Sequence, residues 1–272
     1  MDAGRLLFES ILIIYAVSVI FYFIDFLFHN RKANRVAFWL LSMVWVIQTI
    51  FLLTEIITTA SLPIQTFNDG LYTYTWIIVT FSLIIHRFFQ LEFFMFFMSV
   101  FGFLFMLIHS LRSFQINDSS QIPVMLNEWL YAHIVLALIS YGLFTISFVL
   151  ALLYLMQYRF LKAKKGYKWL ARFRDLEGIE KRAFQLIVLA EPLLLISIIL
   201  GVVWAYMTNT TFYWYDSKTV GSILVFLIYG MYLYSRTRGN YRGRPILLLN
   251  VIAFCLLLIN FFLFNTLSNF HV

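Results

Sequence analysis

Charge is scarce in this chain of 272 residues: Asp, Glu, Lys and Arg together make up 12% of it, about half the share found in an ordinary globular domain. Cysteine is scarcer still. Cys255 has no partner, which excludes an intrachain disulfide, thiol-disulfide exchange, and covalent haem attachment through a Cys-x-x-Cys-His motif. The sequence also has no internal repeat, no low-complexity stretch, no nucleophile-base set and no conventional metal motif. A net charge of +7 accompanies these absences. The basic residues lie in short clusters between apolar runs and form no basic domain, so nucleic acid is not the partner they indicate.

Apolar side chains fill the space that charge leaves. The chain is 62% hydrophobic and 20% aromatic, more than a soluble core of this size could hide, because much of a folded chain's surface still faces water. Lipid removes that constraint. The expected fold class is therefore all-α: a polytopic membrane bundle of about eight helices, treated as one transmembrane domain over 1–272. The apolar runs are roughly 8–28, 36–58, 71–86, 93–111, 129–157, 185–206, 219–235 and 246–265. Most reach the length that a spanning helix needs. The third is short and holds Thr73, Thr75 and Thr80, and the seventh is short and opens polar.

Orientation follows from the charges. If the N-terminus is outside, the inner loops are 29–35, 87–92, 158–184 and 236–245, and these hold every Lys and Arg except Arg5, Arg112 and Lys218. The positive-inside rule requires that asymmetry. The first span carries its positive charges (Arg31, Lys32, Arg35) behind it, which is the order of an uncleaved span and the reverse of a signal peptide. A multi-pass protein of the cell membrane with both termini extracytoplasmic is expected.

The longest inner segment, 158–184, can form an amphipathic helix with Trp169, Leu170, Phe173 and Leu176 on one face. Lys164, Lys165, Lys168, Arg172 and Arg174 would then meet anionic lipid or form a docking surface for a cytoplasmic protein. Asp25, Glu55 and Glu191 lie in or near spans, as hydrogen-bond partners or as proton carriers, and Pro192 loosens the helix beside Glu191.

Of five histidines, His29 and His86 fall at inner ends of spans, and His109, His133 and His271 near the outer face. Imidazole is the usual axial ligand of haem iron, and two can bind it from opposite sides. Between spans six and seven stand Trp204, Tyr206, Tyr213, Trp214 and Tyr215, followed by Asp216 and Lys218. Such a cluster is either an interfacial aromatic belt or a platform for a planar apolar ligand with a polar rim.

The run from Gly201 to Arg236 resembles the tryptophan-rich segment of the cytochrome c assembly family, the CcsA/ResC group. The resemblance rests on Gly201, Trp204, Ala205, Asp216, Lys218, Ser222, Leu227, Ile228, Tyr229, Tyr232, Leu233 and Arg236. Upstream, Trp129, Leu130, His133, Ile134, Ser140 and Tyr141 resemble the helix bearing that family's first external haem-ligand histidine, and Asn269-Phe270-His271 resembles the site of the second. The likeness is close over 129–272 and only general before it. Tyr213 and Tyr215 stand where the family has tryptophans, Ser217 for its proline, Thr219 for its glutamate, and Tyr234 for an intramembrane histidine. Size and these departures make the chain most similar to the HemX branch.

That resemblance implies non-covalent b-type haem held by His133 and His271, with His109 and His86 as additional candidate ligands. Trp204, Tyr213, Trp214 and Tyr215 would form the platform, and Asp216 and Lys218 would meet the propionates or pair with each other as an exposed ion pair. It further implies a regulator of haem biosynthesis that lowers the level of glutamyl-tRNA reductase, with that enzyme or another cytoplasmic protein the candidate partner at 158–184. The want of a nucleophile-base set and of a metal motif leads to the expectation of no enzymatic activity. The alternatives are a haem translocation or delivery subunit for cytochrome c maturation and an unrelated small-molecule transporter.

Overall fold

The computed structural model describes residues 3–89, 93–115, 128–164, 175–207, 217–239 and 241–267. Among them are eight helices and no strand: α1 Ala3–Phe28, α2 Arg31–Thr59, α3 Phe67–Phe89, α4 Phe94–Gln115, α5 Glu128–Ala163, α6 Leu176–Met207, α7 Ser217–Thr237 and α8 Arg244–Leu267. Seven are long and apolar enough to cross a membrane; α3 is not among them. Its 23 residues suffice for about 34 Å of helix, but Asn68, Asp69, Thr73 and Thr75 dilute its opening turns. This is the expected polytopic helical membrane bundle, with the third run the weakest of the eight.

The chain forms two compact units, Met1–Met125 and Leu126–Val272. In the first, each helix packs on the next and α4 returns to α1. A two-residue turn starts this arrangement. His29 adopts φ 53, and Asn30 caps α2 by accepting from the backbone N–H groups of Lys32 and Ala33 at 3.0 and 3.3 Å. Lipid outside and side chains inside are both apolar, so buried polar groups set the pairing. Ser18 Oγ donates to the Ala37 carbonyl (2.9 Å), and Asn34 Nδ2 to Asp25 Oδ2 (2.8 Å), joining α1 to α2. Between α2 and α3, the Trp45 indole donates to Thr80 and the Trp76 indole to Thr49, each at 2.8 Å. Thr66 and Asp69 exchange side-chain-to-backbone bonds of 2.9 and 3.1 Å, a capping box that starts α3.

The second unit repeats the ring: α5 on α6, α6 on α7, α7 on α8, and α8 back on α5. The α5–α6 pair is tied at three levels. Ser197 Oγ donates to the His133 carbonyl, Ser140 Oγ to the Ala190 carbonyl and Ser147 Oγ to the Ala183 carbonyl, each at 2.9 Å. Successive levels are seven residues apart on both helices, the repeat of an antiparallel left-handed coil. Ala183, Ala190, Ser197, Gly201 and Ala205 make the buried stripe of α6 small, which lets two backbones approach. Asn250 of α8 donates to the Ser147 hydroxyl (2.9 Å) and carbonyl (3.1 Å). Aromatic stacking closes the interior, with Phe144 on Tyr229 at 3.8 Å and Phe148 on Phe254 at 4.3 Å between ring centres.

The segment 158–184 is not one loop. Its first residues continue α5 to Ala163 and its last belong to α6, which opens at Leu176 with Asp175 accepting from the Glu177 and Gly178 N–H groups at 3.3 and 3.0 Å. Nothing in residues 158–163 breaks a helix, so α5 runs on past the apolar stretch. The amphipathic face built on Trp169, Leu170 and Phe173 lies outside the described residues, as do Lys165, Lys168, Arg172 and Arg174. Lys164 is exposed, at φ 50 just beyond the end of α5.

Candidate functional site

His133 stands in the second turn of α5 and its ring lies against α6. Nδ1 is 2.6 Å from the Ser197 carbonyl oxygen and 3.1 Å from its hydroxyl. A carbonyl only accepts, so Nδ1 carries the hydrogen and Nε2 keeps its lone pair. No other hydrogen bond to the ring is present among the described residues, so none of them occupies Nε2. The room for this ring comes from Gly201, one turn beyond Ser197. A Cβ there would sit 2.9 Å from both Nδ1 and Cε1 of His133, closer than side chains tolerate.

The same face of α6 carries Trp204, 5% exposed. Ser197, Gly201 and Trp204 thus follow the i, i+4, i+7 spacing of one helix face. Lys218, in the first turn of α7, is half-buried and near enough to His133 to interact with it electrostatically. Its carbonyl accepts from Ser222 Oγ at 2.9 Å, and Ser222 accepts from Asn260 Nδ2 at 3.2 Å. A short polar chain therefore runs from α8 to the start of α7.

The donor chemistry fits an axial ligand to haem iron. Such a histidine usually gives its second N–H to a carbonyl or carboxylate, which fixes the tautomer and strengthens the ligating nitrogen. His133 does this through Ser197. A cationic side chain close by is what a propionate requires. His271, Tyr213, Trp214, Tyr215 and Asp216 lie outside the described residues.

The other candidate ligands belong to the first unit. His109 of α4 is buried, with the Phe8 and Tyr72 rings 4.9 and 5.2 Å from its own, and Nδ1 has no hydrogen-bond partner. His86, near the end of α3, lies 5.0 Å from Phe38. Because Tyr72 near the start of α3 touches His109, the two imidazoles occupy opposite ends of that unit and do not converge on one ion. Tyr234 is 67% exposed on α7, whereas Arg236 turns inward to Glu180 at 3.0 Å. The Gly243 N–H donates to the other oxygen of Glu180 at 2.9 Å.

His133, Trp204 and Lys218 stand out in the sequence, whereas Ser197 does not. The signal was present: Ser197 lies four residues before Gly201 and so shares its face.

These features define a helical membrane protein with a preoriented imidazole at one end of its second unit. The chain belongs to the cytochrome c assembly protein family, whose model matches residues 64–271. It is 43% identical to Protein HemX of Bacillus subtilis (strain 168), covering 97% of this chain and 95% of that protein. Identity to Protein HemX of Brevibacillus brevis is 38%, over 98% of this chain and 97% of that one. Cytochrome c biogenesis protein CcsA of Guillardia theta is 28% identical over 52% of this chain and 53% of its own length.

Proposed function

We propose that the protein binds non-covalent haem b at the extracytoplasmic end of its second unit and acts, without catalysing a reaction, as a HemX-type regulator that lowers the level of glutamyl-tRNA reductase. The observation that carries the haem reading is the Nδ1 bond from His133 to the Ser197 carbonyl, which leaves Nε2 with its lone pair. His133 and His271 would hold the iron, Trp204 and the aromatic segment 213–215 would flank the ring, and Lys218 and Asp216 would meet its carboxylates. Bound haem would supply a ligand that changes with haem abundance and redox state. The chain's own residues would orient the imidazole, exclude water and tie α5 to the C-terminus. A ligand shifts a protein only through different affinities for its two states, so haem must favour one arrangement of the second unit. The proposed reader of that arrangement is glutamyl-tRNA reductase or another cytoplasmic protein, at the basic connection between α5 and α6.

The regulatory reading is supported by near-full-length similarity to HemX proteins. Delivery of haem for cytochrome c maturation is the second reading, favoured by the partial likeness to CcsA. Orientation with both termini outside is supported by the distribution of Lys and Arg. The test is a deletion strain. Raised glutamyl-tRNA reductase with normal c-type cytochromes supports regulation, and lost c-type cytochromes with unchanged reductase overturn it. An absorption spectrum of the purified protein lacking any haem band would reject the ligand.

A further inference from the structure

Three acidic side chains are buried among the described residues: Asp25, Glu180 and Glu191. Asp25 accepts from Asn34, and Glu180 is met by Arg236 and by the Gly243 N–H. Glu191 differs. It lies near the middle of α6, 6% exposed, and neither Oε1 nor Oε2 has a hydrogen-bond partner. Oε1 is 3.8 Å from the point where a Cβ of Gly230 would stand, so the carboxyl group packs against the bare backbone of α7.

The helices packed on α6 offer it no cation. On α5 the titratable side chains beyond its first turns are tyrosines, Tyr141 and Tyr154 among them, until the charged end at Arg159. On α7 they are Tyr229, Tyr232 and the exposed Tyr234, with Arg236 already held by Glu180 and Lys218 twelve residues before Gly230 in the first turn. His133, at the far end of α5, spends its Nδ1 on Ser197. An ionised carboxylate without a counter-charge is too costly inside a membrane to persist, whereas the neutral acid is tolerated. The next residue is Pro192, which lacks the N–H that would have met the Val188 carbonyl. The turn before Glu191 therefore holds an acceptor without its helical donor, and neither carboxyl oxygen is bonded to it.

We propose that Glu191 is a proton-binding site within the membrane, a neutral carboxylic acid held between α6 and α7 at the proline-weakened turn of α6. Its proton exchanges with water when the contact at Gly230 parts. This site is independent of haem.

Infrared spectroscopy of the full-length protein in lipid at neutral pH tests it. The expected result is a C=O stretch of a protonated carboxylic acid, clear of the amide and carboxylate bands, that shifts on slow exchange into heavy water and is lost in Glu191→Gln. No such band in the unaltered protein, or a band that survives in Glu191→Gln, overturns the proposal. Should that variant not accumulate, the unaltered protein is treated with a hydrophobic carbodiimide, which takes the proton of a neutral carboxyl and captures its oxygen as an acyl adduct. An adduct mapped to Glu191 supports the site, and its absence there overturns it.

Discussion

His133 and Ser197 grip each other twice: the ring nitrogen Nδ1 donates to the serine carbonyl at 2.6 Å, and the serine hydroxyl donates back to the histidine carbonyl at 2.9 Å. The ring is thus oriented by main chain, and the helix pair is fastened by side chain.

That division predicts unequal variants. His133→Ala removes the proposed ligand and should abolish the haem spectrum. Ser197→Ala keeps the carbonyl that orients the ring and loses only the hydroxyl bonds. A loss of about 1 kcal/mol, roughly fivefold in affinity, is expected. Haem titration of both purified variants checks this; equal losses would show that the hydroxyl, and not the carbonyl, sets the ring.

Gly201→Ala drives a methyl group to 2.9 Å from the imidazole. Overpacking of this kind costs about 1–3 kcal/mol, and here it also displaces the ring. A lowered thermal midpoint in detergent and weakened haem binding should appear together. Gly70 is the control, because a Cβ there meets nothing within 4 Å. Gly70→Ala should be neutral or stabilise by up to about 1 kcal/mol.

Breaking the Glu180–Arg236 pair strands a buried charge. Arg236→Ala or Glu180→Ala should each destabilise by about 3–5 kcal/mol. The double variant should be milder than either single one, since neither charge is then left alone. Unfolding midpoints of the three proteins decide; additive losses would mean that the pair is not the dominant contact of either residue.

The three hydroxyl ties between α5 and α6 should not be equal. Ser140→Ala removes one bond and is expected to cost about 0.6 kcal/mol, the average for such contacts in membranes. Ser147→Ala also withdraws an acceptor from Asn250, and should cost about 1–3 kcal/mol as that buried amide loses a partner. Comparison of the two midpoints tests this order.

The number of helices and their approximate limits were legible because span length is written in apolar runs. Which face of each helix turns inward was not. In water the inner face is the apolar one, but in lipid both faces are apolar, so the interior is marked by small and polar residues such as Ser18, Gln48, Ser147 and Asn250. That reversal also hid Ser197. The limits fell short at 158–163 and 176–184, which are polar and helical but extend the two neighbouring spans. Glu191 was visible in the sequence, whereas its want of a partner was not, because that depends on what α7 presents opposite it.

The α5–α6 hairpin is longer than a membrane is thick: 36 residues of α5 extend about 54 Å, against a hydrocarbon layer of about 30 Å. Its charged end, at Arg159, Lys162 and Lys164, must therefore stand clear of the lipid tails. Three fastenings seven residues apart prevent the two helices from sliding except by whole steps of about 10 Å. The two helices are thus held in one register, so that neither can shift along its axis without the other.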